Sequence, residues 1–196
     1  MESEVLNPDS FFHVRVIIGM VTGLSVARLL NGLARFVQHP KREYIYSVHL
    51  GWVFFLLLAV VHFWWFEFAL VKITRWTFEL YIFVICYAAL YFFICAILFP
   101  DNLDEYSGFK AYFHSRRTWF YGLLAALFAV DMIDSALKGD EHFRALGIEY
   151  QIRQACLITM SLIGTRVAND RYHQAFVIIA LAAEVWWIVS EFNVLT

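Results

Sequence analysis

Five ionisable side chains sit well inside apolar stretches of this 196-residue chain: Arg28, His62, Asp131, Arg153 and Glu184. Two further carboxylates lie close to them in sequence, Glu67 beyond His62 and Asp134 just past Asp131. Among Leu, Val, Phe and Ile such groups are costly to retain unless they pair, hold an ion or line a wet cavity. Asp131-Met-Ile-Asp134 places two carboxylates at i, i+3 on one helical face, where they can share a proton or a cation. The competing reading is an internal salt-bridge network, with Arg153 paired to Asp131 or Glu184. Either chemistry needs several helices to bring these groups to one depth.

Six apolar stretches are available to do so, at about 14–37, 45–70, 76–99, 118–137, 146–167 and 172–194. Each is near the ~20 residues that a helix needs to cross the hydrocarbon of a bilayer. The chain is 61% hydrophobic and 16% charged, well short of the roughly 25% charge of soluble domains. A soluble globular protein is thereby excluded. The expected fold is all-α: a polytopic membrane protein, one domain over 1–196, built as a bundle of six transmembrane helices. The longest connection, 100–117, runs from acidic to basic and spaces Tyr106, Phe109, Tyr112 and Phe113 as an interfacial helix or a loop would. The remaining connections are short enough for antiparallel hairpins.

Lys and Arg set the orientation. With the N-terminus outside, the inner connections and span ends hold Lys41, Arg42, Lys110, Arg116, Arg117, Arg171, Arg35 and Arg166, whereas the outer ones hold Lys72, Arg75, Lys138 and Arg144. Both termini are therefore expected outside, which is periplasmic for a cell inner membrane. The basic inner rim suits anionic lipid headgroups rather than nucleic acid. Counting ~1.5 Å per residue puts His62, Asp131, Asp134 and Arg153 in the outer half and Glu184 near mid-depth. Glu67, Glu79 and Glu191 lie closer to the outer surface, while Arg28, with Ser25 and Asn31 on its face, falls in the inner half.

Gly19, Gly23 and Ala27 form a small-x3-small ladder, which serves helix packing or a homo-oligomer interface. With 196 residues in six helices, conduction would call for an oligomer. A weak internal echo relates the first two spans to the last two: Arg15-x12-Arg28 against Arg153-x12-Arg166, and His62-Phe-Trp-Trp65 against Glu184-Val-Trp-Trp187. Repeats of this kind place transporter sites at their interface.

His49 and His173 enter their spans at one level and are the pair from which a haem b could hang. No cofactor is otherwise expected. Cys86, Cys95 and Cys156 lack CxxC or CxxCH spacing and read as packing residues. No HExxH, GxSxG, Walker or GxGxxG pattern is present, so nothing marks an enzyme.

At Tyr46-Ser-Val-His49-Leu-Gly-Trp52, Phe63-Trp64-Trp65 and Phe99-Pro100-Asp101 the sequence resembles small bacterial multi-span proteins of an uncharacterised family. The resemblance implies a bacterial inner-membrane location and transfers no activity. Three functions remain open: an oligomeric channel or small transporter for a cation or proton, a haem- or quinone-binding redox subunit, and a non-catalytic sensor or scaffold. The pathway candidates are His62, Glu67, Asp131, Asp134, Arg153 and Glu184.

Overall fold

The computed structural model describes residues 8–39, 45–73 and 76–191. Lys41, Arg42, Arg75, both chain ends and the side chains of Lys72 and Glu191 lie outside what is described. The described residues form α1 (Pro8–Gln38), α2 (Ser47–Phe66), α3 (Phe78–Leu98), α4 (Phe109–Leu137), α5 (Asp140–Ala145), α6 (Gly147–Gly164) and α7 (Asp170–Glu191). A 3-10 turn, Glu67–Lys72, continues α2. No strand occurs among the described residues.

Five helices are long and apolar enough to cross a membrane: α1, α2 with its 3-10 extension, α3, α4 and α7. The expectation of six spans is not met by these criteria, because α6 falls short. It has 18 residues, and Glu149, Gln151, Arg153 and Gln154 crowd its first half. The stretch 146–167 is also preceded by the separate short helix α5. Residues 109–117, expected as an interfacial helix or loop, are the first turns of the 29-residue α4.

Local chemistry explains the boundaries. Pro8 opens α1, where its missing N–H costs nothing. Thr77 caps α3 by accepting a hydrogen bond from the Leu80 N–H at 3.3 Å. Phe99 is extended, as a residue before proline prefers, and α3 ends there. Gly139, at φ +117°, lets the chain leave α4 and enter α5.

α1 packs on α3, α4 on α6, α2 on α7, and α3 on α4. Gly51 permits the α2–α7 approach, since a Cβ there would lie 2.8 Å from a methyl carbon of Val177. The hydrophobic core is centred on fully buried Trp52, whose ring meets Phe55, Phe120, Tyr121 and Phe176 edge-on at 5.0–5.7 Å. Polarity runs opposite to that of a soluble bundle. Met20, Phe78, Phe93, Ile152 and Ile178 face outward, while His49, Glu67, Asp134, Gln154, His173 and Glu184 are buried. Burying charge while exposing isoleucine is stable only where the surroundings are apolar.

Candidate functional site: a buried carboxylate cluster

Three neighbouring groups of polar side chains lie toward one end of the bundle, where α2, α4 and α7 finish and α6 begins. In the first, Glu184 of α7 lies between two partners. His62 of α2 meets its Oε1 through Nδ1 at 2.8 Å, and the Arg153 guanidinium of α6 donates to its Oε2. Glu184 is only 3% exposed, and Arg153 also stacks on the Trp187 ring. Of the two pairings open from sequence, the structure selects Arg153 with Glu184.

Asp131 of α4 is held differently. The Tyr87 hydroxyl of α3 donates to its Oδ1 at 2.7 Å. The Tyr150 hydroxyl donates to its Oδ2 at 2.8 Å, and the Gln154 amide donates to that same oxygen. Ser135 supports Tyr150 from 2.8 Å. Three neutral donors thus hold this carboxylate, two on one oxygen and one on the other.

The third group is a carboxylate pair around one ammonium. Lys138 donates to Glu67 Oε1 at 2.9 Å and to Asp134 Oδ2 at 2.5 Å, and it lies 3.8 Å from the Phe66 ring centroid. Its side chain is 1% exposed. Asp134 and Lys138 stand at i, i+4 on α4, so the helix itself aligns them. Glu67 arrives from the 3-10 turn, whose tighter winding follows directly on α2.

The cluster thus unites all six pathway candidates. Sequence reasoning missed four contributors: Tyr87, Tyr150, Gln154 and Lys138. Lys138 counted there as a surface charge setting orientation, although its spacing from Asp134 was the available signal. A cavity of about 30 Å³ lies between the first two groups, lined by His62, Asp131, Tyr150, Arg153, Gln154 and Glu184 among apolar neighbours. On its other side His62 floors an apolar groove of about 240 Å³ formed with Leu58, Val61, Trp65 and Ile188. Among the described residues no three His, Cys, Asp or Glu side chains group as a metal site.

The remaining candidates lie elsewhere. His49 donates from Nε2 to the Leu98 carbonyl at 2.7 Å and is enclosed by Phe99 and Phe109. His173 bonds Tyr121 through Nδ1 at 2.9 Å. The second ring nitrogen of each, His49 Nδ1 and His173 Nε2, is buried with no hydrogen-bond partner. In the small-residue ladder, a Cβ on Gly19 would meet the Trp64 ring at 2.5 Å, so that position serves packing within the chain. Gly23 and Ala27 open outward. No protein-family model matches this chain, and comparisons with curated proteins and with solved structures give no match.

Proposed function

We propose that this is a multi-pass inner-membrane protein that takes up and moves protons through the carboxylate cluster, acting as a small oligomeric channel or transporter. One observation carries the reading: the cluster gathers more carboxyl groups than lysine and arginine side chains. Among the described residues, Lys138 and Arg153 are the lysine and arginine side chains in ion-pair contact with Glu67, Asp134 and Glu184, Asp131 has neutral donors, and Arg15 lines a small cavity beside Glu67. Four carboxyl groups thus meet two lysine or arginine partners, and His62 adds an imidazole on Glu184. In a low-dielectric setting such an excess draws protons or a small cation.

In this reading α6 is a sixth membrane helix. Its polar side chains Tyr150, Arg153 and Gln154 turn to α4 and α7, while Ile148, Ile152, Leu162 and Ile163 face outward. An apolar exterior over a polar interior suits a helix in lipid whose charges are screened by its neighbours. Both termini and the cluster end face the periplasm. Exposed Arg166 and Arg171 at the other end meet anionic headgroups.

The runner-up, a non-catalytic sensor or scaffold, is favoured by the pairing of Arg153 and Lys138 with carboxylates. Reconstitution separates the two. Purified protein in liposomes enclosing a pH dye, driven by a potassium diffusion potential, should acidify the lumen. Asp131→Asn and Glu184→Gln should each abolish the response. Responses from both variants as large as that of the wild type, together with lowered thermal stability, would establish the scaffold instead.

A further inference from the structure

The cavity between Glu184 and Asp131 combines size with unmet hydrogen-bonding capacity. Its volume of about 30 Å³ exceeds the roughly 10–15 Å³ that one water requires. Two buried atoms of residues on its wall have no partner, the Arg153 Nε–H donor and the Gln154 Oε1 acceptor. A water needs two to four polar partners to be held inside a protein, and these two atoms offer one donor and one acceptor. A water that accepts from Arg153 and donates to Gln154 keeps one hydrogen and one lone pair for the carboxylates on the same wall.

We infer that the cavity is a water site joining Glu184 to Asp131, so that the two carboxylates exchange one proton. A proton leaving protonated Glu184 binds the lone pair of the water as the Glu184 O–H bond breaks. The water releases its other hydrogen to Asp131, where a new O–H bond forms, and the water itself is regenerated. The groups facing this site are His62 from α2, Tyr87 and Tyr91 from α3, Tyr150 and Arg153 from α6, and the two carboxylates. Glu67, Asp134 and Lys138 form their own set beside it. The exchange step rests on the proton reading above; the water site does not.

Infrared difference spectroscopy of the purified protein, acid minus neutral, tests both parts. In the wild type an O–H stretching band should move when H₂¹⁸O replaces H₂¹⁶O. Ala59 also lines the cavity, and Ala59→Leu, or Ala59→Val should leucine prevent folding, should fill it and remove that band. The Asp131 carboxyl band, identified by its loss in Asp131→Asn, should also titrate at a different pH once the cavity is filled. No isotope-sensitive band in the wild type, or one that survives filling, overturns the water site. An unmoved Asp131 titration overturns the exchange. Neither readout requires transport, so a protein that passes no protons across liposomes can still uphold or lose this site.

Discussion

The two ends of the bundle solve the same problem by different means. At the carboxylate end, Glu67, Asp134, Lys138, Arg153 and Glu184 are nearly sealed from solvent and hold one another by charge. At the opposite end, buried polarity is mostly neutral: His49 on a backbone carbonyl, Tyr121 on His173, Tyr112 on the Ile97 carbonyl. Charges there stay near the surface. Asp170 accepts from Tyr46 at 2.9 Å and His114 at 2.7 Å, with Lys110 beside it, and its side chain is 33% exposed. Trp52 and its surrounding rings lie between the two. Neutral hydrogen bonds suffice to fix helices, so structure alone does not require the ionic arrangement at the carboxylate end. That asymmetry is what directs attention there.

The comparison breaks first at Lys138. Lys138→Met leaves Glu67 and Asp134 buried against each other with no cation, and losing one partner of a buried ionic group costs about 3–5 kcal/mol. Chemical denaturation in detergent should show a drop of that size. The triple variant K138M/E67Q/D134N should regain most of it, because no ion is then left unpaired. A single-variant loss below about 1 kcal/mol would mean that water reaches this group and that the contrast between the ends is false.

Glu184→Leu should come next. It strands Arg153 and removes the His62 contact, and a loss of about 2–4 kcal/mol is expected, Arg153 being able to turn partly to solvent or Trp187. The pair R153M/E184L should approach wild-type stability while abolishing proton uptake. Recovered stability with uptake intact would detach this pair from the function.

Much of the architecture was legible in the sequence, because helix length and apolarity are local properties. The burial of Glu184 and Asp134 was legible, since a carboxylate in an apolar stretch has nowhere else to go, whereas Arg28 reaches out to exposed Asp101. Partner choice was not legible. Whether Arg153 meets Asp131 or Glu184 depends on the rotation of α6 against α4 and α7, which no single span encodes. Tyr87, Tyr150 and Gln154 were invisible because Tyr and Gln also belong at interfaces, and only three helices meeting at Asp131 give them a role. The internal echo aligned His62 with Glu184, and these two side chains touch across the α2–α7 contact.

At the opposite end effects should shrink. Asp170→Asn keeps the shape and leaves acceptors for Tyr46 and His114, so about 1 kcal/mol is expected, reduced further by solvent screening at a one-third exposed group. A loss as large as that of Lys138→Met would show that both ends depend on buried charge.

The smallest effect belongs to Arg28 and Asp101, and it carries a pH sign. Arg28 donates to the Phe99 carbonyl and to Asp101 Oδ1, each at 2.6 Å. Asp101 lies beyond α3, outside the spans, and its side chain is 89% exposed. The hydrogen bond and charge of Arg28 hold its carboxyl below the usual value. A carboxyl whose value is lower when folded favours folding above its unfolded value, roughly 3.9, and loses that contribution as pH falls through the folded one. Between pH 5 and 8 the contribution is therefore constant, and salt weakens it. Asp101→Asn should leave the melting temperature almost unchanged at neutral pH and slightly flatten its decline in acid. Arg28→Ala should cost more, because the Phe99 carbonyl at the end of α3 loses its donor too. If Asp101→Asn instead lowered stability steeply at pH 7, the surface charges of this end would be as structural as the buried charges of the other.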